Sequence, residues 1–323
     1  MAIYKSYTQI RSFRDQKISQ AWSHSALLND FHDELMKQTI ALAIRTVEDR
    51  LGPPRSPYCF FLMGSAGRLE QGIWSDQDHG IIYDSTEPEA QEYFLALGKE
   101  FVEGLAEVGY KVCDGNVMAS NPLWCKSTEG WNKQVSNWLL DSSWESIRHF
   151  LTFFDARCFY GKDYLTSLKN SFFPLLHRSC MLTRIIENTM HIKKGVGVLG
   201  QFLLETHGPF TGCINLKDTA FFPYVNAARV LAIRNNSVKT STVERLQQLT
   251  DIDNRERFIT QFIKLQDYRL SYGLHSDYEA GHYVKINQMS KQQQKDLKII
   301  IKDGIQLLNH VKEIVAKDDS SWA

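Results

Sequence analysis

Between two apolar runs, Tyr58-Cys59-Phe60-Phe61-Leu62-Met63 and Gly80-Ile81-Ile82-Tyr83, lies the stretch that most restricts how this chain can fold: Gly64-Ser65-Ala66-Gly67-Arg68-Leu69-Glu70-Gln71-Gly72-Ile73-Trp74-Ser75-Asp76-Gln77-Asp78. Ahead of the first run, Gly52-Pro53-Pro54-Arg55-Ser56-Pro57 breaks the chain, because a helix cannot continue through its prolines. A short, continuous apolar run bounded by breakers predicts a strand buried on both faces. Asp78 to Asp84 reads as a second strand. The stretch between them must therefore leave one strand, turn on its glycines and enter the next.

Such a turn has chemical uses. Leaving a buried strand as Gly-Ser-x-Gly-Arg, it can bring backbone N–H groups close to a phosphate: glycine removes the side chain that would block approach, and Ser65 adds a hydroxyl donor. Arg68 can pair with phosphate oxygens in bidentate fashion. The Gly-Lys-Ser/Thr ending of a P-loop is absent, and so is the third glycine of the dinucleotide fingerprint. Asp76 and Asp78, two apart at a strand start, point to one face about 6.6 Å apart along the strand. A magnesium ion can sit between such carboxylates while keeping waters and substrate phosphates. Either feature alone is commonplace. Together, with Asp76 eleven residues after Ser65 and apolar strands on both sides, they point to chemistry on a nucleoside triphosphate.

The remaining pattern divides the chain. Residues 25–51 read as a helix, with Leu28, Phe31, Leu35, Leu42 and Val47 near helical spacing. Thr86-Glu87-Pro88-Glu89 starts another helix, which carries Phe94, Leu97, Phe101, Leu105 and Val108 on one face and stops at Gly109. Tyr110 to Cys113 and Asn116 to Met118 read as a third strand with an irregularity at Asp114-Gly115. Trp131–Leu140 and Trp144–Phe150 suggest helices, and Phe153–Tyr160 one more strand before Gly161. Beyond about residue 171 the texture becomes helical: Met181–Lys194, Gln201–Glu205, Phe221–Arg234, Thr242–Leu249, Arg257–Tyr272 and Ser290–Lys317. The last of these places Leu297, Ile301, Ile305, Leu308, Val311 and Val315 three or four apart. The expected fold class is α+β, a short mixed sheet flanked by helices, followed by an all-α bundle. The segments are 1–50 (N-terminal helical), 51–170 (the α/β unit) and 171–323 (the bundle).

Charge narrows the partners. Lys+Arg and Asp+Glu are equal at 37 each, which argues against polyanion binding as the main task and makes a nucleic-acid partner unexpected. The cysteines Cys59, Cys113, Cys125, Cys158, Cys180 and Cys213 include no CxxC pair, and several lie in apolar runs, so reduced, buried thiols are expected. The N-terminal residues lack the apolar core of a signal peptide, and no run of about 18 apolar residues occurs. A cytoplasmic protein with no membrane partner is expected.

The central stretch resembles the polymerase-β-type nucleotidyltransferase superfamily, whose core pattern is Gly-Ser, about ten residues, then Asp-x-Asp. More closely, the chain resembles the bacterial DUF294-type signal-transduction nucleotidyltransferases, related to the protein-PII uridylyltransferase. Their pattern is matched by Gly64, Ser65, Gly67, Arg68, Glu70, Gln71, Asp76, Gln77 and Asp78. Further matches are Tyr93–Gly98, Val117-Met118-Ala119, Asn121-Pro122, Trp124-Cys125 and Phe153–Arg157. Leu216-Lys217, Ala228-Arg229 and Glu244-Arg245-Leu246 match in the helical half, so the resemblance runs from about residue 25 to 320. It implies Mg²⁺-dependent transfer of a nucleoside monophosphate, from ATP or UTP, to a hydroxyl of a protein or small-molecule acceptor in signalling. It makes residues 51–170 the nucleotidyltransferase domain and 171–323 the substrate-binding domain. Gly64, Ser65, Gly67, Arg68 and Glu70 would serve the nucleotide, Asp76 and Asp78 the metal, and Lys217, Arg229 and Arg245 would bring positive charge.

The sequence departs from the superfamily in two ways. A third carboxylate on a later strand usually acts as general base, yet Asn116 to Met118 contains no acid. Asp114 and Asp155 are the candidates; Asp155 reads equally well as a structural residue pairing with Arg157 or capping. Residues 1–24 are also too short for the cyclic-nucleotide or CBS regulatory domains that often precede such enzymes. The missing acid motivates an alternative, a nucleotide-sensing module of the same fold with reduced catalysis. An antibiotic-modifying transferase is a further reading. Among other residues, His79 should face away from the aspartates, His275 and His282 read as surface residues, and Lys193 and Lys194 as solvated charges. Trp124, Trp131, Trp138 and Trp144 read as packing residues on helices rather than a base-stacking platform.

Overall fold

The computed structural model describes residues 4–177, 181–190, 192–249 and 252–320. The chain forms two compact units: Met1–Asn137 with Thr152–Phe172, and Trp138–Leu151 with Phe173–Ala323.

The first unit opens with α1 (Tyr7–Ala21) and α2 (Ser25–Leu51). Helix α2 stops at Gly52, which takes a positive φ and donates its N–H to Glu48 O ahead of the prolines. Strand β1 (Tyr58–Leu62) follows, buried at every residue as its unbroken apolar run requires. Next come α3 (Gly64–Arg68), β2 (His79–Tyr83) and α4 (Pro88–Val108). Pro88 opens α4, and Gly109 closes it in the left-handed region, its N–H donating to Leu105 O and Ala106 O. Beyond these along the chain lie β3 (Cys125–Ser127), α5 (Thr128–Asp141), α6 (Trp144–Phe154), β4 (Arg157–Gly161) and α7 (Leu165–Leu176). The end of α5 from Trp138, α6 as far as Leu151 and the end of α7 from Phe173 belong to the second unit.

The sheet is mixed, in the order β3-β2-β1-β4. Strand β1 runs antiparallel to both β2 and β4, while β2 and β3 are parallel. Period-two alternation gives it two apolar faces. On one face Phe60 meets Phe101 of α4 edge-on at 4.5 Å, and Tyr83 stacks on Phe94 at 4.6 Å. Leu35, Ile40, Ala43 and Val47 of α2 fill the same core. On the other, Phe61 packs against Trp131 and Phe153, which stack on each other at 4.8 Å, and the Trp131 indole N–H donates to Ile81 O.

The second unit contains α8 (Met181–Thr189), β5 (Cys213–Asn215), a π-helical turn at Lys217–Phe221, α9 (Phe222–Arg234), α10 (Thr242–Gln247), α11 (Arg255–Tyr272), β6 (Tyr283–Lys285) and α12 (Lys291–Ser320). In α12, Leu297, Ile301, Leu308, Val311 and Val315 are buried as their spacing predicts, while Ile305 is half-buried. Arg257 grips the buried Asp303 of α12 in a two-bond fork, at 2.7 and 2.8 Å. Among the described residues no helix is long and apolar enough to cross a membrane.

The α+β class with a helical second unit is what the pattern predicts, with five local corrections. The second unit is not purely helical, since β5 and β6 form an antiparallel ribbon. Tyr110–Met118 forms no regular strand: Asn116 takes a positive φ and breaks the run, leaving an isolated parallel bridge between Lys111 and Asp76 and a bond from His79 N–H to Val117 O. Phe153 and Phe154 end α6, because with Phe150 they share helical spacing, and the strand starts only at Arg157. Gln201–Glu205 is not helical; Gly200 at positive φ turns the chain so that Val196 bridges Phe202. Trp124, Trp131 and Trp138 are buried, but Trp144 is exposed at the start of α6 beneath Arg148, and Trp124 precedes β3 rather than lying on a helix. Cys59, Cys113, Cys125, Cys158 and Cys213 are free thiols; Cys180 lies outside the described residues.

Candidate functional site

The glycine-rich stretch leaves β1 not as an open turn but as the single helical turn α3. Gly67 N–H donates to Met63 O, and Leu69 caps the turn in the left-handed region. Two glycines are required by close approach. Gly64 has φ +54°, and a Cβ there would lie 2.0 Å from Asp78 Oδ2. A Cβ on Gly67 would lie 2.3 Å from the Asp155 carbonyl oxygen. The first glycine thus lets the Asp78 carboxylate reach the turn; the second lets the chain entering β4 pass beneath it.

Leaving the turn, the chain alternates in burial with a period of two. Ser75, Gln77 and His79 are buried, whereas Asp76 and Asp78 are half-buried on the opposite side. The inward residues anchor the segment. Gln77 Nε2 donates to the carbonyls of Val102 and Tyr110, both at 3.2 Å, and Gln71 Nε2 donates to Ser75 Oγ. His79 accepts at Nδ1 from Ala119 N–H, which leaves its Nε2–H to donate to Gln77 Oε1. It faces Phe60, away from the aspartates as its position predicts.

Burial lowers the pKa of His79 from 6.5 to about 3. The folded state keeps the ring neutral, whereas the unfolded chain takes a proton below pH 6.5. The stability this group contributes is therefore whole above that pH and lost as pH falls towards 3, at about 1.4 kcal/mol per pH unit. Comparing urea midpoints at pH 6.5 and 5, the gap between the protein and a His79→Gln variant is expected to shrink by about 2 kcal/mol. A gap independent of pH counts against a neutral buried imidazole.

On the outward side, ligand atoms of Asp76, Asp78 and Cys113 lie within 4.8 Å of one another. Backbone pairing explains the convergence. Lys111 bridges Asp76 in parallel, so two residues further along each of these extended segments Cys113 comes beside Asp78. Burial, and after it the negative charge of Asp78, pushes the Cys113 thiol up to about 12. The two acids are read from the motif; the thiol is not. Its only sequence signal is the strand-like run Tyr110–Cys113, whose partner cannot be told from local pattern.

The other predicted residues take different positions. Arg68 is nearly buried, with its Nε donating to Glu70 Oε2 at 2.8 Å and its Nη1 to Asp155 Oδ2 at 2.6 Å. Burial opposes the Arg68 charge, but the attraction of Glu70 and Asp155 outweighs it and raises the pKa. Glu70 thus holds the Arg68 guanidinium in place. Asp155 pairs with Arg68 rather than with Arg157; Arg157 forms a two-bond fork with Asp33 and also donates to Ala66 O of α3. Asp114 is exposed and pairs with Lys111 at 2.7 Å. Neither Asp114 nor Asp155 belongs to the group formed by Asp76, Asp78 and Cys113.

In the second unit, Lys217 begins the π-helical turn with its Nζ 5.7 Å from the Tyr278 ring centre. Arg229 is buried and donates to Asn226, and Arg245 is buried with Nε donating to Lys239 O. Lys193 pairs with Glu205. His275 is half-buried against Leu270 O, and among the described residues neither it nor His282 joins a metal-binding group.

Two family models match the chain: "Putative nucleotidyltransferase DUF294" over residues 9–145 and "Putative nucleotidyltransferase substrate binding domain" over residues 179–315. No curated protein matches it.

Proposed function

With these two models matched along most of its length, the chain belongs to the DUF294 nucleotidyltransferase family, and on that premise we propose that it moves a nucleoside monophosphate from a triphosphate to a hydroxyl of a protein or small-molecule acceptor. The observation that supports this most is the approach of Gly64 to Asp78. It brings the Gly-Ser turn, where Ser65 and backbone N–H groups would hold phosphate oxygens, against the paired acids. Asp76 and Asp78 would hold Mg²⁺; their four oxygens suit a hard cation that retains waters and phosphate oxygens. When bound, such an ion neutralises the triphosphate and the departing pyrophosphate.

The reaction forms a bond between the acceptor oxygen and the α-phosphorus and breaks that phosphorus's bond to the bridging oxygen. Pyrophosphate leaves, and the hydroxyl proton passes to solvent. Arg68 is a positioning residue in this scheme: with its charge shared between Glu70 and Asp155, it fixes the turn rather than reaching for phosphate. Lys217 is the cation proposed for the substrate side, while Arg229 and Arg245 support the second unit. We assign the activity to cytoplasmic signalling.

A second reading has its own support. Among the described residues the group around Asp76 and Asp78 is completed by a thiol rather than a third carboxylate, which favours a nucleotide sensor with little turnover. One experiment separates the two. The protein is incubated with Mg²⁺, cell lysate and each of the four labelled triphosphates in turn, with pyrophosphate release and calorimetric binding followed in parallel. A labelled acceptor together with released pyrophosphate is the expected result. Binding without release supports the sensor, and binding of no triphosphate rejects both.

A further inference from the structure

The position of Cys113 carries a consequence for the metal. We propose that its thiolate is a third protein ligand, so that the site prefers a borderline transition-metal dication of the Co²⁺ and Zn²⁺ class over Mg²⁺. This rests on the reading of Asp76 and Asp78 as metal ligands.

Three observations support it. First, one donor atom from each of the three residues lies within 4.8 Å of the other two. A cation holding oxygens at about 2.0–2.2 Å and sulfur at about 2.3 Å in tetrahedral geometry sets neighbouring ligands about 3.5 Å apart. The three side chains therefore close in by up to about 1.3 Å on binding, within the reach of rotamer adjustment. Second, the thiol is held there by the backbone: the Asp76–Lys111 bridge, with Gln77 N–H donating to Lys111 O and Lys111 N–H to Ser75 O, fixes the register that sets Cys113 beside Asp78. Third, the donor set is mixed. Two carboxylates alone suit Mg²⁺, but thiolate sulfur is a poor ligand for so hard an ion and a good one for softer dications. Asp114, which would have given an all-oxygen set, is instead turned outward onto Lys111.

On metal binding the S–H bond breaks, a sulfur–metal bond forms and the proton passes to the buffer. No electron is transferred.

The test uses the whole reduced protein, freed of metal and titrated with Co²⁺ alone. A thiolate-to-cobalt charge-transfer band in the near ultraviolet is expected at one equivalent. Cys113→Ser should remove the band and lower the ratio of Co²⁺ to Mg²⁺ affinity by at least about tenfold, the smallest loss typical even of an outer-shell partner. Cys113→Asp, which restores an all-oxygen set, should also lack the band yet bind Co²⁺, and it serves as the second variant if the serine form does not fold. Co²⁺ binding without a sulfur band, or a band that survives in Cys113→Ser, overturns the thiolate assignment and leaves the carboxylate site standing. Failure of the protein to bind either Co²⁺ or Mg²⁺ overturns the carboxylate reading as well.

Discussion

Asp76→Asn and Asp78→Asn are each expected to lower nucleotidyl transfer at least about a hundredfold, because losing a direct metal ligand should exceed the 10–100-fold typical of outer-shell partners. Folding stability is expected not to fall. The two carboxylates carry oxygens within 4.8 Å of each other, and like charges at that distance repel by about 3 kcal/mol at an effective dielectric constant of 20, less where solvent screens them. Neutralising one acid relieves that repulsion in the metal-free protein. Activity and stability should therefore move apart, which a purely structural role for these residues does not allow. Pyrophosphate release and a thermal melt on the same preparation check both halves. Unchanged release from either variant rejects the metal assignment, and a melting temperature lowered by many degrees indicates that the acids serve packing instead.

The sequence made this site partly legible, and the limit has a physical cause. Strand periodicity is local, so the alternation that buries Ser75, Gln77 and His79 and turns out Asp76 and Asp78 could be read from spacing alone. The continuous run of β1, the Gly109 stop of α4 and the apolar stripe of α12 were legible for the same reason. Pairings between distant segments were not. Nothing near Arg68 announces that its partner is Asp155, and the obvious neighbour, Arg157, is drawn instead to Asp33 on α2. Cys113 reaches Asp78 only because Lys111 pairs with Asp76, a long-range choice that no local period encodes. The segment carrying Cys113 reads as a strand interrupted at Asp114-Gly115, and left-handed Asn116 breaks it further, so that no regular strand forms. The motif also proved more structural than its glycine-rich look suggests. Gly67, Arg68, Glu70, Gln71 and Gln77 hold the scaffold, and the outward face is left to few side chains.

Asp155→Ala should destabilise the first unit by about 3–5 kcal/mol, the range for removing one partner of a buried ion pair. That is a large share of a typical domain's stability, about 5–15 kcal/mol. Arg68 lies between two carboxylates that are themselves almost wholly buried, so removing one weakens the compensation for a guanidinium withdrawn from water. The effect should spread to the turn, because the Asp155 carbonyl packs directly against Gly67. Asp155→Asn keeps a hydrogen-bond acceptor for Arg68 and should cost less than the alanine variant. The same pair of variants decides the role left open by the missing third acid. As a general base, Asp155 would show Asp155→Asn stable but inactive. As the partner of Arg68, it would show activity tracking the folded fraction, with both variants unfolding at lower urea and the asparagine form the milder. Urea midpoints measured beside pyrophosphate release tell these apart. An alanine variant within about 1 kcal/mol of the parent, the usual range for exposed ion pairs, shows that the Arg68 charge is satisfied without Asp155.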